Sequence, residues 1–152
     1  MTRPNRNRHI LVALDDTESS RRAAVFVDRF FAGIDTRVDV LSVAESPLVD
    51  APAAGPGGML GGATGSAEVL RQISDATRAA AERIASDANL DADVALVAEG
   101  DPVDAITRVA AERDVDLVVV GSSHKGLWQR LISGSVSRGV VDESPAPVLV
   151  VR

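Results

Sequence analysis

Asp116 to Ser137 reads DLVVVGSSHKGLWQRLISGSVS, and the fold is decided there. Leu117 to Val120 is a short, wholly apolar run, the mark of a strand buried on both faces. The run stops at Gly121. A polar loop carrying Gly126 follows, and Gly134-Ser135 opens a helix from about Ser135 to Glu143. Strand, glycine-bearing loop and helix start, in that order, build an anion cradle. Loop N–H groups point at the ligand, and the helix N-terminus adds about half a positive charge. The rest of the chain reads as support for that cradle or as the second wall of the same cleft.

Downstream of the cradle, Ser144-Pro145-Ala146-Pro147 blocks the helix, and Val148 to Val151 forms a last strand. Upstream, Gly100-Asp101-Pro102 is a sharp helix start, with Asp101 as N-cap and Pro102 at the first helical position. Ile106, Val109 and Ala110 carry that helix's apolar face. Asp93 to Ala98 is the strand before it. A longer helix begins near Ser66, with Val69, Leu70, Ile73, Ala80 and Ile84 on one face and Arg71, Arg78, Glu82 and Arg83 on the other. At the start of the chain, Ile10 to Leu14 is a buried strand ending in the turn Asp15-Asp16-Thr17. A helix follows, with Ala23, Ala24, Val27, Phe30 and Phe31 on its apolar face and Gly33 as its stop. Arg37 to Val43 is the second strand. His9 reads as structural or solvated, and Asp35, Asp39, Asp91 and Asp93 as solubility charges flanking strands. Residues 46–64, SPLVDAPAAGPGGMLGGAT, are dominated by Pro and Gly. They read as a flexible insertion or as a lid on the ligand side of the sheet.

The bulk numbers bound the class. A chain of 152 residues is one domain, taken here as 1–152. Apolar residues make up 45% and aromatics 3%, so the core is built from Val, Leu, Ile and Ala. A net charge of −6 argues against nucleic acid as a partner, since phosphate contacts need clustered Lys and Arg. The one lysine, Lys125, lies in the glycine loop. With no cysteine, disulfides, thiol nucleophiles and Cys-ligated metals are excluded. No apolar run approaches the roughly 18 to 20 residues of a membrane span. The chain reads as soluble and cytoplasmic, with no membrane partner.

Strands alternating with helices imply an open parallel α/β sheet with right-handed crossovers and helices on both faces. The expected strand order is 3-2-1-4-5. In such sheets ligands bind past the carboxyl ends of the strands where the order reverses, here between strands one and four. Strand one ends at Asp15 and strand four at Gly121, so two polar strand ends face one crevice. Strand five lies at the edge. Val148, Leu149, Val150 and Val151 carry no charge, and a bare apolar edge is covered most simply by its own copy about a two-fold axis.

ILVALDD (10–16), EGDPVDAI (99–106), VVVGSSHKGLWQRLISGSVSRGVV (118–141) and SPAPVLVV (144–151) resemble the universal stress protein family over nearly the whole chain. The resemblance implies a Rossmann-like or flavodoxin-like domain, commonly a homodimer through the last strand. One branch of the family binds ATP through Gly, two residues, Gly, nine residues, Gly, then Ser or Thr. Gly121 matches the first glycine, Gly134 the third, and Ser135 the hydroxyl. His124 stands where the second glycine belongs, and Gly126 lies two residues later. A histidine there either obstructs a triphosphate or donates a hydrogen bond to it.

Site residues follow from the resemblance. Asp15 lines the nucleotide pocket or, read structurally, caps the following helix. The Val43 backbone hydrogen-bonds adenine or, read structurally, only pairs strands. Gly121, Ser122, Ser123, Gly134, Ser135 and Val136 offer N–H groups to phosphate, and Ser135 and Ser137 add hydroxyls. Lys125 and Arg130 are candidate phosphate cations or, read singly, solvated surface charges, and Trp128 reads as packing under the loop or against a partner subunit. The implied ligand is ATP or another adenine nucleotide, with Mg2+ arriving on the triphosphate. No general base or metal cluster stands out, which points to a stress-response regulator read by an unidentified protein partner, with at most weak ATP hydrolysis. A nucleotide-transferring enzyme would need a glycine-rich loop after strand one, where Asp15-Asp16-Thr17 stands instead. The alternative is a dimeric interaction module of the same family that binds no nucleotide.

Overall fold

The computed structural model describes residues 8–44, 63–122 and 136–152, with backbone only for 63–66. Its elements are β1 (Arg8–Ala13), α1 (Glu18–Phe31), β2 (Thr36–Ala44), α2 (Ala63–Asp87), β3 (Val94–Glu99), α3 (Pro102–Glu112), β4 (Leu117–Gly121), α4 (Val136–Glu143) and β5 (Val148–Val151). The strands form one sheet in the order β3-β2-β1-β4-β5, all parallel. The expected order 3-2-1-4-5 therefore holds. His124, with the rest of 123–135 (Ser123, Lys125, Gly126, Trp128, Arg130, Gly134 and Ser135), and residues 46–62 of the Gly/Pro stretch read at 46–64 lie outside the described residues, while the last two of that stretch, Ala63 and Thr64, already belong to α2.

Period-two alternation along β1 divides the core in two. Ile10, Val12 and Leu14 face α1 and α2, where they meet Ala23, Ala24, Val27 and Ile84. Leu11 and Ala13 face α3 and α4, where they meet Ile106, Val109, Val136 and Val140. Leu11, Val12, Val118 and Val119 have no exposed surface, and each buried side chain of this size contributes about 1.5–3 kcal/mol. Asp101 caps α3 as its sequence signature predicts, accepting from the N–H of Val103 at 2.9 Å and of Asp104 at 3.2 Å. Gly33 follows α1 at φ +76°, a left-handed conformation that glycine adopts without strain.

Three sequence expectations are corrected. Phe30 is not in the core. It is 61% exposed and stacks on Phe26 at 4.2 Å between ring centroids. The buried stripe runs through Val27 to Phe31, four residues on, so Phe30 falls off its flank. Val69, near the start of α2, is also exposed. Asp39 is not a solvated strand-flanking charge: it sits inside β2 with no exposed surface.

Asp39 survives burial because three donors surround it. Arg113 Nε donates to Oδ2 at 2.7 Å and Arg37 Nε to Oδ1 at 3.1 Å, and His9 Nε2 lies 2.9 Å from Oδ2. Burial pushes the carboxyl pKa up, but the hydrogen bonds from Arg113, His9 and Arg37 outweigh it, and the net displacement is downward. His9 is held on every side: Nδ1 lies 3.2 Å from the Arg113 carbonyl oxygen, and its main-chain N–H donates to the Asp116 carboxylate at 2.9 Å. Its solvated reading is thereby set aside. Asp93, although exposed, accepts from the N–H of Val38 at 2.7 Å. This cluster closes the amino-terminal end of the sheet.

Candidate functional site

The opposite, carboxyl-terminal end is where β1 and β4 diverge. Ala13 and Val120 are the last paired residues of β1 and β4; beyond them Leu14-Asp15 turn toward α1, while Gly121 stays paired with Val151 of β5. The chain after β1 turns at once into α1. Thr17 is its N-cap, accepting from the N–H of Ser20 at 3.3 Å, so the capping role read for Asp15 belongs to Thr17. Asp15 instead braces the cap. Its Oδ1 accepts from Thr17 Oγ1 and Ser20 Oγ, and its N–H donates to Ser20 Oγ at 2.9 Å.

Gly121 is needed for a reason other than phosphate. A Cβ there would stand 2.5 Å from the Ser19 carbonyl oxygen and 2.9 Å from the Ser20 nitrogen. The end of β4 thus lies against the first turn of α1. The same turn braces Asp15 through the Ser20 hydroxyl. The two strand ends inferred to share a crevice are joined by one helical turn.

Next to them, a cavity of about 240 Å3 opens between the ends of β1 and β2 and one face of α2. Asp15 and Val43 both line it, with Leu14 on the floor and Ile73, Thr77 and Ala80 on the α2 wall. Val43 also pairs with Ala98 of β3, so strand pairing and pocket lining coexist. Ser42 Oγ donates to the Leu14 carbonyl at 2.6 Å, which ties β2 to β1 beneath the cavity. The α2 wall was not anticipated from the sequence. Its only signal was that small residues, Thr77 and Ala80, continue the apolar stripe of Ile73 and Ile84. A wider cleft of about 680 Å3 lies on the opposite face between β3 and α3, lined by Leu96, Arg108 and Glu112. It holds none of the residues read as ligand contacts.

On the β4 side the picture is mixed. The N–H of Ser122 donates to the Val151 carbonyl at 2.7 Å, so it extends the ladder to β5 and does not face a phosphate as expected. Val136 opens α4 with its side chain buried in the core, and Ser137 follows it in the first turn. Among the described residues no cluster of His, Asp and Glu could hold a metal ion, and no helix is long and apolar enough to cross a membrane.

The family model described as the universal stress protein family matches residues 6–152. A universal stress protein of Thermus aquaticus is 31% identical over 143 residues, covering 94% of this chain and 97% of that protein. Two solved structures share the fold. One, described as a universal stress protein in complex with cAMP, has a TM-score of 0.61 and 23% identity, covering 96% of this chain and 97% of that one. The other, a family member from Arabidopsis thaliana with AMP bound, has a TM-score of 0.59 and 20% identity, covering 95% and 90%. The chain belongs to the universal stress protein family.

Proposed function

We propose that the protein binds an adenine nucleotide at the carboxyl-terminal ends of β1, β2 and β4, and that occupancy of this site is its output as a stress-response regulator. The observation that carries the reading is the cavity of about 240 Å3 that Asp15 and Val43 line together. Its walls are the apolar side chains of Leu14, Ile73 and Ala80, suited to a flat base, while a carboxylate and main-chain groups stand at the rim. Pockets that enclose whole drug-sized ligands run to about 300–1,000 Å3. A smaller one takes the base and leaves sugar and phosphates outside, toward Gly121 and the start of α4. The AMP and cAMP complexes of two fold relatives agree in ligand class.

The role assigned is binding; the two hydroxyls among the described lining residues, Ser42 and Thr77, donate to the main-chain carbonyls of Leu14 and Ile73. Mg2+ would be held by the triphosphate oxygens and water, which suits a cation that keeps its hydration shell. Thermal denaturation with millimolar AMP, ADP and Mg-ATP tests the reading. A ligand at 100 times its dissociation constant adds about 2.7 kcal/mol of stability. No shift with any of the three refutes nucleotide binding.

A second reading, a dimeric interaction module without nucleotide, is favoured by one observation. The Ser122 amide is engaged by Val151, which removes one donor from the cradle. In either reading the protein is a homodimer through β5, whose four residues Val148–Val151 are only partly buried at the sheet edge.

A further inference from the structure

We infer that Ser20 is a positioning residue for ligand recognition, fixing the Asp15 carboxylate so that its Oδ2 meets a hydroxyl or amino donor of the bound nucleotide. The inference rests on the adenine-nucleotide reading and names the group on which its carboxylate depends.

Ser20 is 4% exposed and does not line the cavity, so it acts through a neighbour. Its hydroxyl makes two contacts with one residue: it accepts from the Asp15 N–H at 2.9 Å and donates to Asp15 Oδ1. A hydroxyl has one proton and two lone pairs, so both contacts are satisfied at once. Thr17 Oγ1 donates to the same Oδ1. Main chain and side chain of Asp15 are thereby locked relative to each other.

Ser20 is itself immobile. Its N–H donates to Thr17 Oγ1 at 3.3 Å, and its backbone lies against Gly121. The brace therefore belongs to the rigid first turn of α1. Oδ1 receives two hydroxyl donors, while among the described residues no donor reaches Oδ2. An ionised carboxylate only accepts. A ligand group opposite Oδ2 must then be a donor, a ribose hydroxyl or an exocyclic amine, and a phosphate there is repelled. Holding the acceptor in place beforehand avoids the ordering cost on binding.

A double-mutant cycle tests this, with AMP titrated calorimetrically into wild type, Ser20→Ala, Asp15→Asn and the double variant, and the Tm of each recorded. Ser20→Ala is expected to weaken AMP binding roughly 3- to 10-fold, the effect of one ordinary hydrogen bond. Ser20→Thr, which keeps the hydroxyl, is expected to recover most of the loss. In the Asp15→Asn background, Ser20→Ala is expected to change affinity less than about two-fold, because residues in one network are not additive. Should Ser20→Ala fail to fold, Ser20→Cys keeps the volume with a weaker donor and carries the same cycle. Equal losses in both backgrounds, or wild-type affinity in Ser20→Ala, would overturn the positioning role while leaving nucleotide binding intact. No uptake of millimolar AMP by wild type would overturn the site itself, and the inference with it.

Discussion

The two ends of the sheet are built on opposite plans. At the amino-terminal end, Asp39 is wholly buried, and Arg113, Arg37 and His9 converge on both of its oxygens. At the carboxyl-terminal end, Asp15 is half-buried, and its side-chain donors among the described residues converge on Oδ1. One carboxylate is saturated by its own fold, and the other is held still with acceptor capacity to spare. Both ends need the same structural device, a polar group bridging strands and helices. Among the described residues, no donor reaches the second oxygen of Asp15, whereas both oxygens of Asp39 are engaged. Charge and burial alone would have favoured Asp39 as the functional residue; the count of satisfied lone pairs favours Asp15.

The sharpest way to break the comparison is Asp39→Ala. It leaves Arg113 and His9 without their shared acceptor, and removing one partner of a buried pair costs about 3–5 kcal/mol. Arg113 retains 29% side-chain exposure, which places the expectation near 3 kcal/mol, read by urea denaturation. AMP affinity of the folded fraction is expected to be unchanged, since the lesion is at the wrong end of the sheet. Gly121→Ala comes next. Its Cβ must displace backbone at 2.5 Å, and overpacking costs about 1–3 kcal/mol. Here both stability and AMP affinity are expected to fall, because the displaced turn also braces Asp15.

Acid separates the ends in a third way. The folded-state pKa of Asp39 is depressed below the ordinary value of 3.8. Its contribution is therefore present above that value and lost as pH falls through the lower, folded one. Urea midpoints between pH 5 and pH 2 are expected to drop in wild type, and to drop less in Asp39→Asn, which starts lower. The smallest effect on the fold itself is expected from Val150→Pro. The carbonyls of Pro147 and Val151 bond to β4, so Val150, odd in that alternation, turns its N–H outward. Proline is tolerated on an edge strand. Sedimentation is expected to give a monomer in place of a dimer, with little loss of secondary structure.

Local signals carried much of this molecule. Asp101-Pro102 set the start of α3, and Ser144-Pro145-Ala146-Pro147 set off β5, because a cap or a breaker acts within a few residues. The alternation of strands and helices indicated a parallel sheet, and the expected strand order is the one observed. What stayed hidden depends on long-range pairing. Arg113 reaches Asp39 across 74 residues of sequence, and nothing local marks either one. Gly121 was legible as a glycine that mattered, but its backbone contact with Ser19 was not. The Ser122 amide was assigned to a ligand because the sequence could not show that the edge strand would claim it. Ile73 and Ala80 read as one apolar face of α2 because a pocket wall and a core stripe share one periodicity.

The central claim is that the carboxyl-terminal end of the sheet, and not the amino-terminal end, receives an adenine nucleotide. A titration of isotopically labelled protein with AMP, followed by amide NMR shifts, tests it most directly. The account predicts perturbation of Asp15, Ser20, Val43 and Thr77, extending to Val136, with Asp39, His9 and Arg113 unmoved. Shifts centred on Asp39 and Arg113, or on the β3–α3 cleft at Leu96 and Arg108, would contradict it.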